Sequence, residues 1–148
     1  MDYDKALKEI SKIVLCNDKK NILQEIVDYL FKNFKTYSWI GIYFVKDADL
    51  ILGPWQGTNA TEHVRIPVGE GICGSAAKSG KTEIVDDVSL DKRYLACFIS
   101  TRSEIVVPII KNGVVIGEID IDSDFYNAFS KEDSIFLEKI ADIIKNFC

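Results

Sequence analysis

A chain of 148 residues, 47% hydrophobic and 28% charged, is long enough to bury one respectable core and too short to need two. Eighteen basic against 23 acidic side chains give a net charge of −5 and a pI near 4.9, which repels phosphate backbones and argues against nucleic acid as a partner. There is no basic n-region followed by an apolar h-region, and no apolar run of membrane-spanning length, so a single unexported domain over residues 1–148, cytoplasmic and off the membrane, is expected.

The first elements are helical. Leu7, Ile10, Ile13 and Val14 recur every three to four residues, and after the polar break Asn-Asp-Lys-Lys the set Ile22, Leu23, Ile26, Val27, Leu30 and Phe31 does so more strongly. Both helices need a surface to pack on. Five strands supply it, over 37–45, 49–55, 63–68, 103–110 and 114–122, rich in β-branched and aromatic residues and ended by turn signals. Asn112-Gly113 is the clearest hairpin signal. Between the third and fourth strands, "GICGSAAKSG" predicts a short helix closed by Gly80, followed by a long irregular segment. Ser130 and Asp133 form a capping-box-like start, aspartate replacing the usual glutamate, to a last helix carrying Ile135, Phe136, Ile140, Ile143 and Ile144. The expected class is α+β: an antiparallel sheet with the N- and C-terminal helices on one face and a loop-covered ligand pocket on the other.

In "VIGEIDID", Ile119 and Ile121 point one way, while Glu118, Asp120 and Asp122 point the other, roughly 6 to 7 Å between successive carboxylates. Such a stripe is either a solvated strand face or the wall of a site for a cationic group such as an amine. Acidic residues are poor strand formers, and no basic residue falls among the three positions. The register decides whether Glu104 joins them. A plain two-residue turn would pair position 104 with 121 and aim Glu104 at the core; a one-residue shift, from a left-handed Gly113 or a bulge near Pro108, brings the carboxylates together. The shifted register is expected, because an unpaired glutamate in the core is costly.

Four cysteines without tight pairing or a leader read as reduced thiols. Cys16 and Cys148, near helix ends, read as packing or terminal residues. Cys73 sits at a helix start, where amides and macrodipole lower a thiol pKa, and is open to packing or reactivity. Cys97 by spacing alone reads first as a small buried residue and second as a nucleophile that Arg102 could favour as thiolate. The lone His63, with no C-x-x-C pair, gives no zinc pattern, so no metal is expected.

The pieces "WIGIY" (39–43), "LGPWQG" (52–57), "VRIPVGEGICGSAA" (64–77), "DVSLDKRYLAC" (87–97), "SEIVVPI" (103–109) and "GEIDIDS" (117–123), in this order, resemble the free methionine-(R)-sulfoxide reductases, which are single GAF domains. The resemblance implies Cys97 as catalytic nucleophile, and Glu104, Asp120 and Asp122 as substrate-binding acids, with Glu104 and Asp120 assisting proton transfer. It also implies Trp39 and Tyr43 around the sulfur end of the substrate. It implies no bound cofactor and an external thiol reductant of the thioredoxin kind, and it leaves room for a homodimer through the terminal helices. Members of that family usually carry a resolving cysteine just before the "VRIP" strand, where this chain has His63; Cys73, which matches the family's other cysteine, is the substitute resolving thiol provided its sulfur can approach Cys97 to bonding distance, and otherwise an external thiol resolves the sulfenic acid directly. His63 then either helps hold Cys97 as thiolate or is an exposed strand-edge residue. The competing expectation is a non-catalytic GAF module that senses a small molecule in the same pocket, which would have no need of Cys97.

Overall fold

The computed structural model describes residues 2–96 and 98–148. Cys97 thus lies outside the described residues. The elements run α1 (Tyr3–Cys16), α2 (Ile22–Asn33), β1 (Trp39–Lys46), β2 (Asp49–Gly57), β3 (Arg65–Pro67), α3 (Gly71–Ser79), β4 (Glu83–Val85), a 3-10 turn (Val88–Leu90), β5 (Ser103–Lys111), β6 (Val114–Ser123) and α4 (Lys131–Ile144). The strands form one antiparallel sheet in the order β3-β2-β1-β6-β5-β4. The class is α+β, as the sequence predicts.

Pleating divides the sheet into two apolar layers. On one face Ile40, Ile42, Ile105, Val107, Ile119 and Ile121 meet the apolar stripes of α1, α2 and α4. Phe34 at the end of α2 stacks on Tyr37 and Phe136, ring centroids 4.9 and 5.2 Å apart, which fixes the terminal helices against the sheet. The capping box forms as expected: Ser130 N donates to Asp133 Oδ2 at 2.8 Å, and Asp133 N donates to Ser130 Oγ at 3.3 Å. On the opposite face Trp39, Tyr43 and Val106 pack with Ile72, Cys73, Ala76 and Ala77 of α3. Gly74 makes this approach feasible, since a Cβ there would stand 2.6 Å from the Pro67 carbonyl oxygen.

The hairpin carries the register of the site. Asn112 and Gly113 both take positive φ, 52° and 76°, the two-residue turn that matches strand twist. Lys111 faces Val114 and Ile110 faces Val115, but Ile109 faces Gly117, so Ile116 is an extra residue on β6. This bulge, one residue from Pro108, produces the expected shift and sets Glu104 opposite Asp122.

Four expectations change. A sixth strand, β4, pairs with the outer edge of β5; three residues are too few to show a period in the sequence. The third strand covers only 65–67, because only Asp49 to Ile51 of β2 are paired with it. The ligand face is covered by α3 as well as by loops, and Ile135 is exposed, leaving Phe136, Ile140 and Ile144 in the core.

Candidate active site

Cross-strand pairing builds the ligand face in rows. Trp39 of β1, Asp122 of β6 and Glu104 of β5 form one row; Gly41, Asp120 and Val106 the next; Tyr43, Glu118 and Pro108 the third. Side chains within a row stand side by side and those of adjacent rows are diagonal neighbours, so Glu104 reaches both Asp122 and Asp120. From above, α3 brings Cys73, whose Sγ lies 3.8 Å from Glu104 Oε1. The Cys73, Glu104 and Asp120 polar atoms all lie within 4.8 Å of one another.

This stripe is no solvated face. Glu104 is 5% exposed, Asp120 2%, Asp122 1% and Glu118 0%. None of the ion pairs formed among the described residues involves these acids. Both oxygens of Asp122 and of Glu118, and Oδ1 of Asp120, have no hydrogen-bond partner among the described residues. Burial disfavours the charged form of each. Glu104 is pushed well above the usual carboxylate range by burial first and then by the charges of Asp120 and Asp122. Asp122 and Glu118 are pushed up in the same way, burial leading. Asp120 rises only to about 6, because hydrogen bonding to Glu104 and Cys73 and the nearby His63 offset part of its burial. The cluster therefore retains protons that isolated carboxylates would have lost at neutral pH.

The expectation of a lowered Cys73 pKa does not hold. Burial pushes this thiol well up, and the negative charges of Asp120, Glu118 and Glu104 push it further. The helix start is outweighed because the thiol faces the acids. Cys16 and Cys148 are exposed, which makes them terminal rather than packing residues.

The aromatic wall depends on two glycines. The Trp39 indole lies across Gly41 and Gly57, where an added Cβ would stand 2.3 and 2.4 Å from its ring atoms. Trp39 also stacks on Trp55 at 6.3 Å and meets Phe98 at 6.0 Å. Tyr43 is fully buried and its hydroxyl donates to the His63 carbonyl at 2.7 Å. His63 Nε2 in turn donates to the carbonyl of Ala96, the residue before Cys97, at 3.2 Å. His63 precedes β3 and is half-buried, so it is not the exposed strand-edge residue considered above.

A cleft of about 30 Å³ is bordered by Trp39, Phe98, Thr101 and Asp122. The structure brings Cys73, Glu104, Asp120 and Asp122 together and sets Trp39 and Tyr43 beside them. Sequence reasoning left Glu118 out of the site and missed Thr101, whose hydroxyl lies beside Asp122 and lowers its pKa. Alternation already placed Glu118 on the stripe; nothing in the sequence marked Thr101.

A six-stranded antiparallel sheet with terminal helices behind it and a small helix over a ligand face is the architecture of GAF domains. The GAF-domain family model matches residues 16–146. The free methionine-R-sulfoxide reductase of Saccharomyces cerevisiae is 44% identical over 115 residues, covering 75% of this chain and 63% of that protein. Among solved structures, a type II free methionine-R-sulfoxide reductase from Thermoplasma acidophilum is 41% identical, covers 87% of this chain and 91% of its own, and superposes with a TM-score of 0.84. The enzyme of Neisseria meningitidis in complex with its substrate is 34% identical over 98% of this chain and 87% of its own, with a TM-score of 0.91. The chain belongs to the GAF-domain family and, within it, to the free methionine-R-sulfoxide reductases. It is an oxidoreductase of that class. Among the described residues no helix is long and apolar enough to cross a membrane.

Proposed function

We propose that the chain reduces the R epimer of free methionine sulfoxide, with Cys97 as nucleophile and the buried acids as the wall that binds substrate and supplies the proton. The observation that carries this reading is the row of buried acids with unpartnered oxygens and no basic neighbour in an ion pair. A free amino acid brings an ammonium that satisfies them; a methionine inside a peptide has none. Trp39 and Tyr43 form the apolar side against which the methylsulfinyl end packs.

Attack of the Cys97 thiolate on sulfoxide sulfur requires the departing oxygen to be protonated. Glu104, held protonated by burial and by Asp120 and Asp122, is the donor. Asp120, the acid of the cluster nearest to neutrality, passes the next proton to it. The oxygen ends on Cys97 as a sulfenic acid and methionine leaves. The Cys73 thiol then condenses with that sulfenic acid, releasing water and forming a Cys73–Cys97 disulfide, which an external dithiol of the thioredoxin kind reopens. His63 stands where the family resemblance places a resolving cysteine, and its bond to the Ala96 carbonyl suits it to hold the nucleophile's segment.

The test is consumption of the two sulfoxide epimers, free and within a peptide, by purified protein with a dithiol. Only the free R epimer is consumed, and Cys97→Ser abolishes turnover with the fold intact. Equal consumption of both epimers, or turnover surviving in Cys97→Ser, ends the proposal. Mass mapping of oxidised protein finds Cys73 joined to Cys97; a pairing with Cys16 or Cys148 rejects the resolving assignment.

A further inference from the structure

Four large apolar side chains stand in solvent beside the segment that carries Cys97, and nothing in the mechanism above uses them. Leu90 ends the 3-10 turn and is 80% exposed; Ile99, two residues beyond Cys97, is 99% exposed. Phe125 and Tyr126, just after β6, are each more than half exposed. Phe98, by contrast, turns inward and meets the Trp39 ring. Two residues of chain span at most about 7 Å, so any protein that reaches the sulfur of residue 97 must also touch Ile99. Single exposed apolar residues are ordinary, but several in one place mark a contact surface.

These four are in one place because backbone bonds tie the two stretches together. Val88 N donates to the Arg102 carbonyl at 2.9 Å, Arg102 N to the Ser123 carbonyl at 2.7 Å, and Asn127 N to the Asp86 carbonyl at 3.1 Å. Ser103 Oγ donates to the Phe125 carbonyl at 2.6 Å. Leu90 and Asn127 border one surface depression, so the 3-10 turn meets the residue after Tyr126. Phe98 and Ser100 border a cleft with Asp124, so the neighbours of Ile99 meet the residue before Phe125. The Arg102 guanidinium lies 5.7 Å from the centre of the Tyr126 ring. The main chain is held while the side chains stay in water, so a partner has little left to order on contact.

Size and composition say what kind of partner fits. A fully buried aromatic side chain removes about 150–250 Å² from water, so at these exposures the four together offer on the order of 500 Å². A stable dimer covers about 800 Å² on each copy, whereas brief redox encounters bury less than about 1,200 Å² in all, or about 600 Å² per partner. The patch has the size of the second kind. Its apolar centre includes two aromatics, and exposed Asp86, Arg102 and Asp124 of mixed sign lie at its rim, the composition of a protein contact. We propose that Leu90, Ile99, Phe125 and Tyr126 are the docking surface for the protein dithiol that re-reduces the enzyme, a partner of the thioredoxin kind with apolar surface around its own thiols. Cys73 is buried, so the partner's thiolate attacks the Cys97 sulfur. The Cys73–Cys97 bond breaks, an S–S bond to the partner forms, and Cys73 leaves as thiolate and takes up a proton. The partner's second thiol then displaces Cys97, which leaves two reduced cysteines here and a disulfide on the partner. The inference rests on the function proposed above.

The experiment compares a protein reductant with a small one. Turnover of free methionine R-sulfoxide is measured with thioredoxin, kept reduced by its reductase and NADPH, and separately with dithiothreitol, which needs no docking surface. Leu90→Asp, Ile99→Asp and Tyr126→Asp each raise the KM for thioredoxin about tenfold, as for loss of a contact that carries binding energy. Turnover driven by dithiothreitol, and the KM for the sulfoxide, stay within about twofold of the parent in all three. Ile99→Leu, which keeps the apolar surface, keeps the parent's KM for thioredoxin. An unchanged KM for thioredoxin in all three aspartate variants overturns the inference. An equal loss with both reductants also overturns it, because the patch would then serve the substrate site. So does a parent that sediments as a dimer and is split into monomers by the aspartates with thioredoxin kinetics unchanged, since a second copy would be the occupant. A parent that turns over with dithiothreitol but not with thioredoxin refutes the docking inference and leaves the function standing, whereas a parent that consumes no sulfoxide with either reductant refutes the function itself.

Discussion

Replacing Asp120 by asparagine should stabilise the protein at alkaline pH while removing activity. Asp120 is 2% exposed and its carboxyl is raised from 3.8 to about 6. At 1.36 kcal/mol for each pKa unit, the ionised form costs the fold roughly 3 kcal/mol relative to the unfolded chain. The folded state binds the proton more tightly than the unfolded state, so this contribution is favourable below about 3.8 and is lost as the pH rises toward 6. Above that the loss is complete. An amide at this position cannot ionise, so Asp120→Asn should match the parent near pH 4 and exceed it near pH 8 by up to roughly 3 kcal/mol. For a domain of this size that corresponds to a rise in Tm of about 6 to 12 °C. Glu104, relieved of its neighbour's charge, is raised less and ionises more readily, which adds to the gain. The assay is urea unfolding followed by tryptophan fluorescence at both pH values, with turnover of methionine sulfoxide measured alongside. A stability difference that does not change between the two pH values, or one that favours the parent near pH 8, would refute the burial argument.

Gly41→Ala should displace the Trp39 indole, since the new Cβ would sit 2.3 Å from it; a loss of about 1–3 kcal/mol in stability and a higher KM are expected, read by thermal melting and kinetics. Deleting Ile116 removes the bulge and leaves Glu104 opposite Asp122, because Ile110 and Ile109 then face the consecutive residues Val115 and Gly117. The acid rows are preserved, so circular dichroism should show folded protein. In His63→Ala the bond to the Ala96 carbonyl is lost, so kcat should fall while stability changes by no more than about 1 kcal/mol, the worth of one partly exposed hydrogen bond; steady-state kinetics and thermal melting check the two halves.

Much of the fold was legible because local rules and the global arrangement agree. The periodicity of α2, the Ser130–Asp133 box and the Asn112-Gly113 turn each name an element from a few residues, and the alternation of Ile119 and Ile121 with Asp120 and Asp122 assigns both faces of β6. β4 was illegible because its three residues acquire strand geometry only from the edge of β5. The helix start at Cys73 pointed the wrong way because the acids that govern its thiol come from β5 and β6, at least 31 residues away in sequence.

By itself the sequence determined which side chains carry charge, sulfur and aromatic surface, and which of them share a strand face, because pleating is a property of neighbouring residues. Only the tertiary structure decided that the acids are buried and that Glu104 stands among them. It also set Cys73 of α3 over them, its thiol against Glu104. Those outcomes depend on one extra residue in a hairpin and on a helix seated against a glycine, and burial, which sets every acidity in the site, exists only once those distant pieces have packed together.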